Sequence, residues 1–317
     1  MSRYTLLADI GGTNTRVVLS QEGRLLPETI SRYANAGQPA LEPVLRAYIA
    51  EKGIADLDGA CIAAAGPVRD GVATMTNLSW VIESGAVAQA LRAGRVSVLN
   101  DLQAQGYALG RIAPEMLRPI LPGRPALPDA SQLVIGIGTG FNAAPVHEGP
   151  GGRIVTASEC GHVTLPVSSE ADERLARFVA REHGFASVED VLSGRGLVHV
   201  YDFVCAEAGQ EVSRDSAAIM AAIAAGDPLA RDAARLFVRA MGAVAGDLAL
   251  THLPFGGIYL IGGMARAFTP LLTEYGFEQA FHAKGRFSNF LSAFPMHLIE
   301  DDYAALLGCA AYMNMIK

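Results

Sequence analysis

Two short glycine turns and a handful of carboxylates carry the chemistry that this sequence offers. The first turn is Asp9-Ile10-Gly11-Gly12-Thr13-Asn14, set between two apolar runs. Paired glycines let a backbone approach a ligand and aim successive N–H groups at it. Thr13 and Asn14 add neutral donors suited to phosphate oxygens. Asp9, just ahead of the turn, could hold Mg²⁺ through water, since metal on nucleotide phosphates is usually held by one or two carboxylates. A hairpin turn beside a buried Asp is the plainer reading of the same residues. The second turn, Gly136-Ile137-Gly138-Thr139-Gly140, repeats the logic. It is no Walker loop, because no Lys follows the last glycine. It is no dinucleotide fingerprint either, because no helix follows and the spacing differs. Two such turns, each between strands of a repeated unit, point to a two-sided phosphate clamp.

Asn100-Asp101 follows an apolar run, at the strand end where α/β sheets place ligands. A carboxylate there can take the proton of a substrate hydroxyl; it can also cap the next helix, which Asp does well. Glu159, Gly161 and His162 form a compact polar cluster whose Glu and His could each reach a polyol. A lone surface His is the alternative. Zinc is excluded for want of a downstream Cys/His cluster, and Cys160 is expected to point away from its neighbours. Glu189 is a third sugar contact or a first-turn helix acid that favours the helix dipole. Gly262-Gly263, after the run Ile258–Ile261, would let a planar ring such as adenine lie flat on backbone, or would simply turn a strand into a helix.

These residues need strands and helices to position them. Tyr4 to Ile10, Thr15 to Leu19 and Leu25 to Tyr33 read as three strands of an antiparallel meander. Leu41, Val44, Leu45, Tyr48 and Ile49 then recur at helical spacing. Asp58 to Ala65 is a strand, Ser84 to Arg92 a helix, Arg95 to Asn100 a strand and Leu102 to about Leu109 a helix. From Gln132 the pattern restarts, with strands Gln132 to Ile137 and Phe141 to His147 about the second glycine turn and a hairpin turn at Gly149 to Gly152. Strand, glycine turn, strand thus occurs at Asp9 to Leu19 and again at Leu133 to Val146, so two similar halves would face each other across a cleft. The rest is helix-rich: Pro228 to Leu253 is a long amphipathic helix, Gly257 to Ile261 a strand followed by a helix, and Ala304 to Met315 a terminal helix. Alternation of this kind indicates an α/β fold with a mixed sheet.

Composition narrows the partners. The chain has 317 residues, room for about two domains at ~150 residues each. Net charge is −7, with no Lys/Arg run, which argues against nucleic acid. ATP is not excluded, because one loop can hold it through backbone N–H groups. Cys61, Cys160, Cys205 and Cys309 are far apart and form no CxxC pair, as in a reducing cytosol. Met1-Ser2-Arg3-Tyr4 shows no signal-peptide layout. Apolar stretches such as Ala217 to Ala225 fall short of the ~20 residues that span a bilayer. A soluble cytoplasmic protein without a membrane partner is expected.

Taken in order, Asp9 to Arg16, Met75-Thr76-Asn77-Leu78-Ser79-Trp80, Leu99-Asn100-Asp101, Gly136 to Gly140, Glu159-Cys160-Gly161-His162, Val191-Leu192-Ser193-Gly194, Gly256 to Gly263, Lys284-Gly285-Arg286-Phe287 and Leu306-Leu307-Gly308 resemble the bacterial glucokinase family. That family lies within the actin, sugar-kinase and Hsp70 superfamily, and the match runs along nearly the whole chain. The resemblance implies a two-domain actin-like ATPase (ribonuclease H-like) α/β fold with mixed sheets and an interdomain cleft. The small domain would be 1–109 plus 298–317 and the large one 110–297. It implies an ATP:glucose 6-phosphotransferase using ATP and Mg²⁺, and leaves a homodimer open. Asp101 then corresponds to the catalytic base, and Asn100, Glu159, His162 and Glu189 to sugar contacts. Gly11, Gly12 and Thr13 correspond to one phosphate turn, Gly138, Thr139 and Gly140 to the other, and Gly262 and Gly263 to the adenosine turn. Cys160 stands where the family usually has Gly, and Asn142-Ala143-Ala144 where it has a Gly-Val-Ala run. The zinc cysteines of the related repressor and kinase group are missing, which implies the zinc-free branch. A kinase for another hexose or amino sugar, or a non-catalytic sugar-binding regulator, would fit the same fold.

Overall fold

In the computed structural model, which describes residues 4–76 and 78–316, the apolar run Tyr4–Ile10 becomes β1 and Asn14–Gln21 becomes β2. Met1, Ser2, Arg3, Asn77 and Lys317 lie outside the described residues, and with them the Asn77 of the 75–80 segment. Then come β3 (Arg24–Leu25), β4 (Ser31–Ala34), α1 (Leu41–Lys52), β5 (Leu57–Ala64), β6 (Val68–Arg69), β7 (Val72–Thr74), β8 (Val81–Glu83), α2 (Ser84–Leu91), β9 (Arg95–Asn100) and α3 (Asp101–Ala108). After them run β10 (Leu117–Leu121), β11 (Gln132–Ile137), β12 (Phe141–Gly149), β13 (Gly152–Val155), α4 (Glu170–His183), α5 (Gly194–Glu207), α6 (Ser216–Ala225) and α7 (Pro228–His252). The chain ends through β14 (Ile258–Ile261), α8 (Gly263–Phe268), α9 (Phe277–His282), α10 (Ser288–Leu291), β15 (Met296–Ile299) and α11 (Ala304–Met315). It divides into two compact units: Met1–Met116 with Gly149–Ala157 and Asp301–Lys317, and Leu117–Glu148 with Ser158–Glu300.

In the first unit β1 pairs antiparallel with β2 and parallel with β5, and β5 pairs parallel with β9. Leu6, Leu7, Ile10 and Ile62 are completely buried, each side chain stabilising the unit by about 1.5–3 kcal/mol. Leu41, Val44, Leu45 and Tyr48 of α1 bury the face that their spacing anticipates. The expected third strand does not run through. A 3₁₀ turn at Pro27–Thr29 separates β3 from β4, because Pro27 has no N–H to give to a ladder. Thr29 fills the gap, its hydroxyl donating to the Leu26 carbonyl at 2.7 Å and accepting from the Leu19 N–H at 3.0 Å. The terminal helix α11 packs along α3. A Cβ on Gly308 would stand 1.5 Å from the Ala104 carbonyl oxygen, so only glycine permits this crossing.

The second unit repeats the plan. β11 pairs antiparallel with β12 and parallel with β14, and β14 pairs parallel with β15. The order β2-β1-β5-β9 therefore has its counterpart in β12-β11-β14-β15. The repeated strand–turn–strand pattern is a real duplication of architecture. α7 buries Ala233, Phe237, Met241 and Val244 on one face, in the core that also holds Leu260 and Phe268.

Candidate active site

In the first unit, register brings three strand ends together. Ile10 of β1 lies beside Ala64 of β5, and Ala64 beside Asn100 of β9. The three strands thus reach one edge together, two strand spacings or roughly 10 Å across. At that edge the Gly11 N–H donates to the Asn14 carbonyl at 3.0 Å, closing the first glycine turn. Asn35 braces it from behind: its amide donates to the Gly11 carbonyl at 2.8 Å, and its N–H donates to the Thr13 carbonyl at 2.9 Å. The Thr15 hydroxyl completes the brace by donating to Asn35 Oδ1 at 2.7 Å. Thr13 is exposed, whereas Gly11, Gly12 and Asn14 are half-buried.

Asp9 sits at the end of β1 with one fifth of its side chain exposed, 3.4 Å from Arg16. Burial raises its carboxyl above the ordinary aspartate range, and the Arg16 charge and hydrogen bond offset part of this. A buried carboxylate with one long ion pair has lone pairs to spare for a hydrated cation. Its chemistry therefore fits Mg²⁺ carried in on nucleotide phosphate.

Asn100 and Asp101 divide two tasks. Asn100 is the helix cap: its Oδ1 accepts from the Leu102 N–H at 3.0 Å, and Gln103 reaches back to the Asn100 N–H at 3.2 Å. Its amide also donates to the Gly66 carbonyl at 3.1 Å, tying α3 to the end of β5. Asp101 is the first residue of α3, half-buried, with Oδ1 accepting from Leu102 N–H at 2.9 Å. Capping of α3 thus centres on Asn100, with Asp101 adding a short-range bond of its own.

The second unit carries the second glycine turn. The Gly138 N–H donates to the Gly140 carbonyl at 2.9 Å, and the Gly194 N–H at the start of α5 donates to the Gly138 carbonyl at 2.8 Å. Gly262 has φ +105°, and a Cβ there would lie 2.4 Å from the Ile137 carbonyl. Gly263 opens α8, and a Cβ on Gly138 would meet nothing nearer than the Gly263 nitrogen at 3.9 Å. The turn Gly138–Gly140 and the Gly262-Gly263 turn therefore adjoin on one sheet edge, leaving Gly138 and Gly263 with open space where side chains would stand.

Glu159, His162 and Glu189 gather beside this edge. Glu189 Oε2 accepts from the Phe141 N–H at 2.9 Å, and Oε1 pairs with Arg195 at 3.2 Å. Its own N–H donates to the Gly161 carbonyl at 2.8 Å. Glu159 and His162 are exposed on a 3₁₀ turn, Cys160–His162. Desolvation by the surrounding protein raises the Glu159 carboxyl; nearby His162 lowers it and the Glu189 charge raises it. Cys160 does not point away from its neighbours. Its Sγ lies 3.6 Å from Asn142 Oδ1, and burial, more than the Glu159 charge, pushes the thiol up.

Asn35 and Arg195 escape a reading of the sequence. Asn35 lies 20 residues from its Thr15 partner, outside any motif, and Arg195 looks like an ordinary charge in a first helical turn.

Nearly the whole chain, residues 6–316, matches the family model described as Glucokinase. It is 36% identical to a glucokinase of Pseudomonas paraeruginosa over 98% of this chain and 92% of that one. It is 34% identical to a glucokinase of Stenotrophomonas maltophilia, covering 98% and 95%. A crystal structure of glucokinase from an Antarctic psychrotroph superposes with a TM-score of 0.86 at 30% identity, over 98% of this chain and 99% of that one. The fold is accordingly the two-unit, actin-like α/β fold of the sugar kinases. No helix among the described residues is long and apolar enough to cross a membrane. With its duplicated glycine-turn sheets and this agreement from end to end, the chain belongs to the glucokinase family.

Proposed function

We propose that the chain transfers the γ-phosphoryl group of ATP to the 6-hydroxyl of glucose, giving glucose 6-phosphate and ADP, with Asp101 as the general base. Membership of the glucokinase family supports the reaction. The single observation that supports the base is the shared edge of β1, β5 and β9, which puts Asp101 on the edge where the first glycine turn opens, two strands away. Phosphoryl transfer asks chiefly for positioning and charge neutralisation. The Asp101 carboxylate takes the 6-hydroxyl proton as that oxygen bonds to the γ-phosphorus. The bond from the γ-phosphorus to the bridging oxygen breaks, and ADP carries away its electron pair. Gly11, Gly12, Thr13 and Asn14 make up one phosphate-binding turn, and Gly138, Thr139 and Gly140 another. Gly262 and Gly263 offer flat backbone to the adenine ring. Asp9 would hold Mg²⁺ through water, and the ion when bound neutralises phosphate charge.

Glu159 takes the 2- and 3-hydroxyls, and His162 with Glu189 the 1-hydroxyl. Each Glu189 oxygen has one bond to protein, which leaves acceptor capacity for a sugar. Asn100 has one amide hydrogen beyond that given to Gly66, available to a hydroxyl. The cytoplasm, where ATP is made, is the proposed compartment. The test is ADP release measured with ATP and a panel of hexoses. Glucose-dependent ADP formation is the expected result; release that follows a different hexose, or no sugar at all, would overturn the substrate assignment.

A further inference from the structure

We propose that Asn142 is a specificity-determining positioning residue, its side-chain amide fastening the Glu159 carboxylate and the Ser158–Cys160 backbone to β12, two residues beyond the Gly138–Gly140 turn. The proposal rests on the reading of Glu159 as a sugar contact.

Asn142 is the second residue of β12, paired with Gly136 of β11, so its main chain belongs to the sheet. Phe141 before it is buried in the core, which sends the Asn142 side chain to the opposite face. There the amide serves both of its ends. Oδ1 accepts from the Cys160 N–H at 3.2 Å and from the adjacent Ala143 N–H at 2.8 Å, and lies 3.0 Å from the Ser158 hydroxyl. Nδ2 donates to the Ser158 carbonyl and reaches Glu159 Oε2 at 3.4 Å. The Ser158 hydroxyl also stands 2.7 Å from the Ala143 carbonyl.

The segment that receives these bonds has little else to hold it. Glu159 and His162 are exposed, and the Cys160–His162 turn closes on itself through His162 N–H to the Glu159 carbonyl at 3.1 Å. Its other main-chain ties are the Val163 N–H to the Cys160 carbonyl at 3.4 Å and the Glu189 N–H to Gly161 at 2.8 Å. The direction in which Glu159 points therefore depends on a side chain from β12. A carboxylate that tells one hydroxyl pattern from another needs a fixed direction, because discrimination comes from leaving a polar group unpaired when the hydroxyl is missing. Phe141, one residue earlier, holds Glu189 through its N–H. The first two residues after the glycine turn thus hold both sugar-side carboxylates, one by main chain and one by side chain.

The experiment compares Asn142→Ala, Asn142→Asp and Glu159→Gln with the parent chain. For each, kcat and KM are measured for glucose and for 2-deoxyglucose, with KM for ATP and thermal unfolding alongside. Asn142→Ala is expected to lower kcat/KM for glucose about tenfold, the size of one or two hydrogen bonds to a charged group. It should lower that for 2-deoxyglucose by much less, so the glucose preference shrinks while KM for ATP stays within about twofold, since that turn keeps its own backbone bonds. Asn142→Asp keeps an acceptor but replaces the donor with a charge facing Glu159, and its preference should shrink at least as far. Equal losses for both sugars, with a lowered unfolding temperature, would make Asn142 a fold residue only and overturn the proposal. So would an unchanged preference in the Asn142 variants when Glu159→Gln abolishes it. An unchanged preference in Glu159→Gln itself would sink the sugar reading of Glu159, and the proposal with it.

Discussion

The two glycine turns look alike as sequence and are held in different ways. The first, at Gly11-Gly12, is braced by one buried amide: Asn35 contacts Gly11, Thr13 and Thr15. The second, at Gly138–Gly140, is a junction. Gly194 bonds its carbonyl, Gly263 approaches Gly138, Glu189 fills the space a Gly140 side chain would need, and Phe141 and Asn142 bind carboxylates just beyond it. The same motif is thus held by one side chain in one unit and joined to several neighbouring segments in the other. Damage to the first should fall on stability or on the chemical step. Damage to the second should fall on substrate binding, and a change of one residue should decide which substrate suffers.

The largest expected effect lies on the first unit's edge. Asp101→Ala should lower kcat by ~10²–10⁴, the range for loss of a general base. Its unfolding temperature should barely move, because Asn100 supplies the two-sided cap. Asn100→Ala should instead cost about 0.5–2 kcal/mol of stability, as loss of a helix cap does. Near-normal kcat in Asp101→Ala would remove the proposed base.

Next is the brace. Asn35→Ala leaves the Gly11 carbonyl and the Thr15 hydroxyl without their partner. Buried polar groups stranded in this way cost about 1–3 kcal/mol, to be read from denaturant unfolding. A change below a few tenths of a kcal/mol would mean that water replaces Asn35 and that the first turn needs no brace.

The second turn allows a sharper test, because neighbouring glycines should fail differently. Gly138 has room for a methyl group and no positive φ to lose, so Gly138→Ala should fold normally. If that space holds phosphate as proposed, its methyl group would raise KM for ATP by about tenfold, with KM for glucose nearly unchanged. A Cβ on Gly140 would lie 2.5 Å from Glu189 Oε2, so Gly140→Ala should displace that carboxylate and raise KM for glucose more than for ATP. Equal effects on both substrates in both variants would break the contrast between the turns.

The smallest effect concerns charge. The folded chain holds the Asp9 proton more tightly than the unfolded chain does, because burial raises its carboxyl from 3.8. Charging Asp9 therefore costs stability as pH rises from the ordinary aspartate value through the raised one. Asp9→Asn should unfold at a higher temperature than the parent above that window and at the same temperature below it. A lower unfolding temperature at neutral pH would show that the Arg16 pair outweighs desolvation.

What the sequence determined by itself is the part set by local rules. Glycines set between apolar runs announce both turns, because glycine clusters bound strands. The 3.6-residue spacing of Leu41, Val44, Leu45 and Tyr48 announces α1 and its buried face. The recurrence of strand, glycine turn, strand announces the duplicated sheet. Pro27 could have warned that the run Leu25 to Tyr33 would break, since a missing N–H is visible in the sequence.

Tertiary structure alone decided what depends on contacts between distant residues. The tie of the Asn100 cap to the end of β5 runs through the bond from its amide to Gly66, 34 residues away. The brace at Asn35, the Arg195–Glu189 pair and the grip of Asn142 on Glu159 join segments with no shared periodicity. Residues 149–157 join the first unit through Arg153, which donates to the carbonyls of Gly106 and Leu109. Periodicity reports which face of an element is buried. A hydrogen bond between side chains far apart in sequence leaves no period, because its geometry exists only once the elements that carry them have packed.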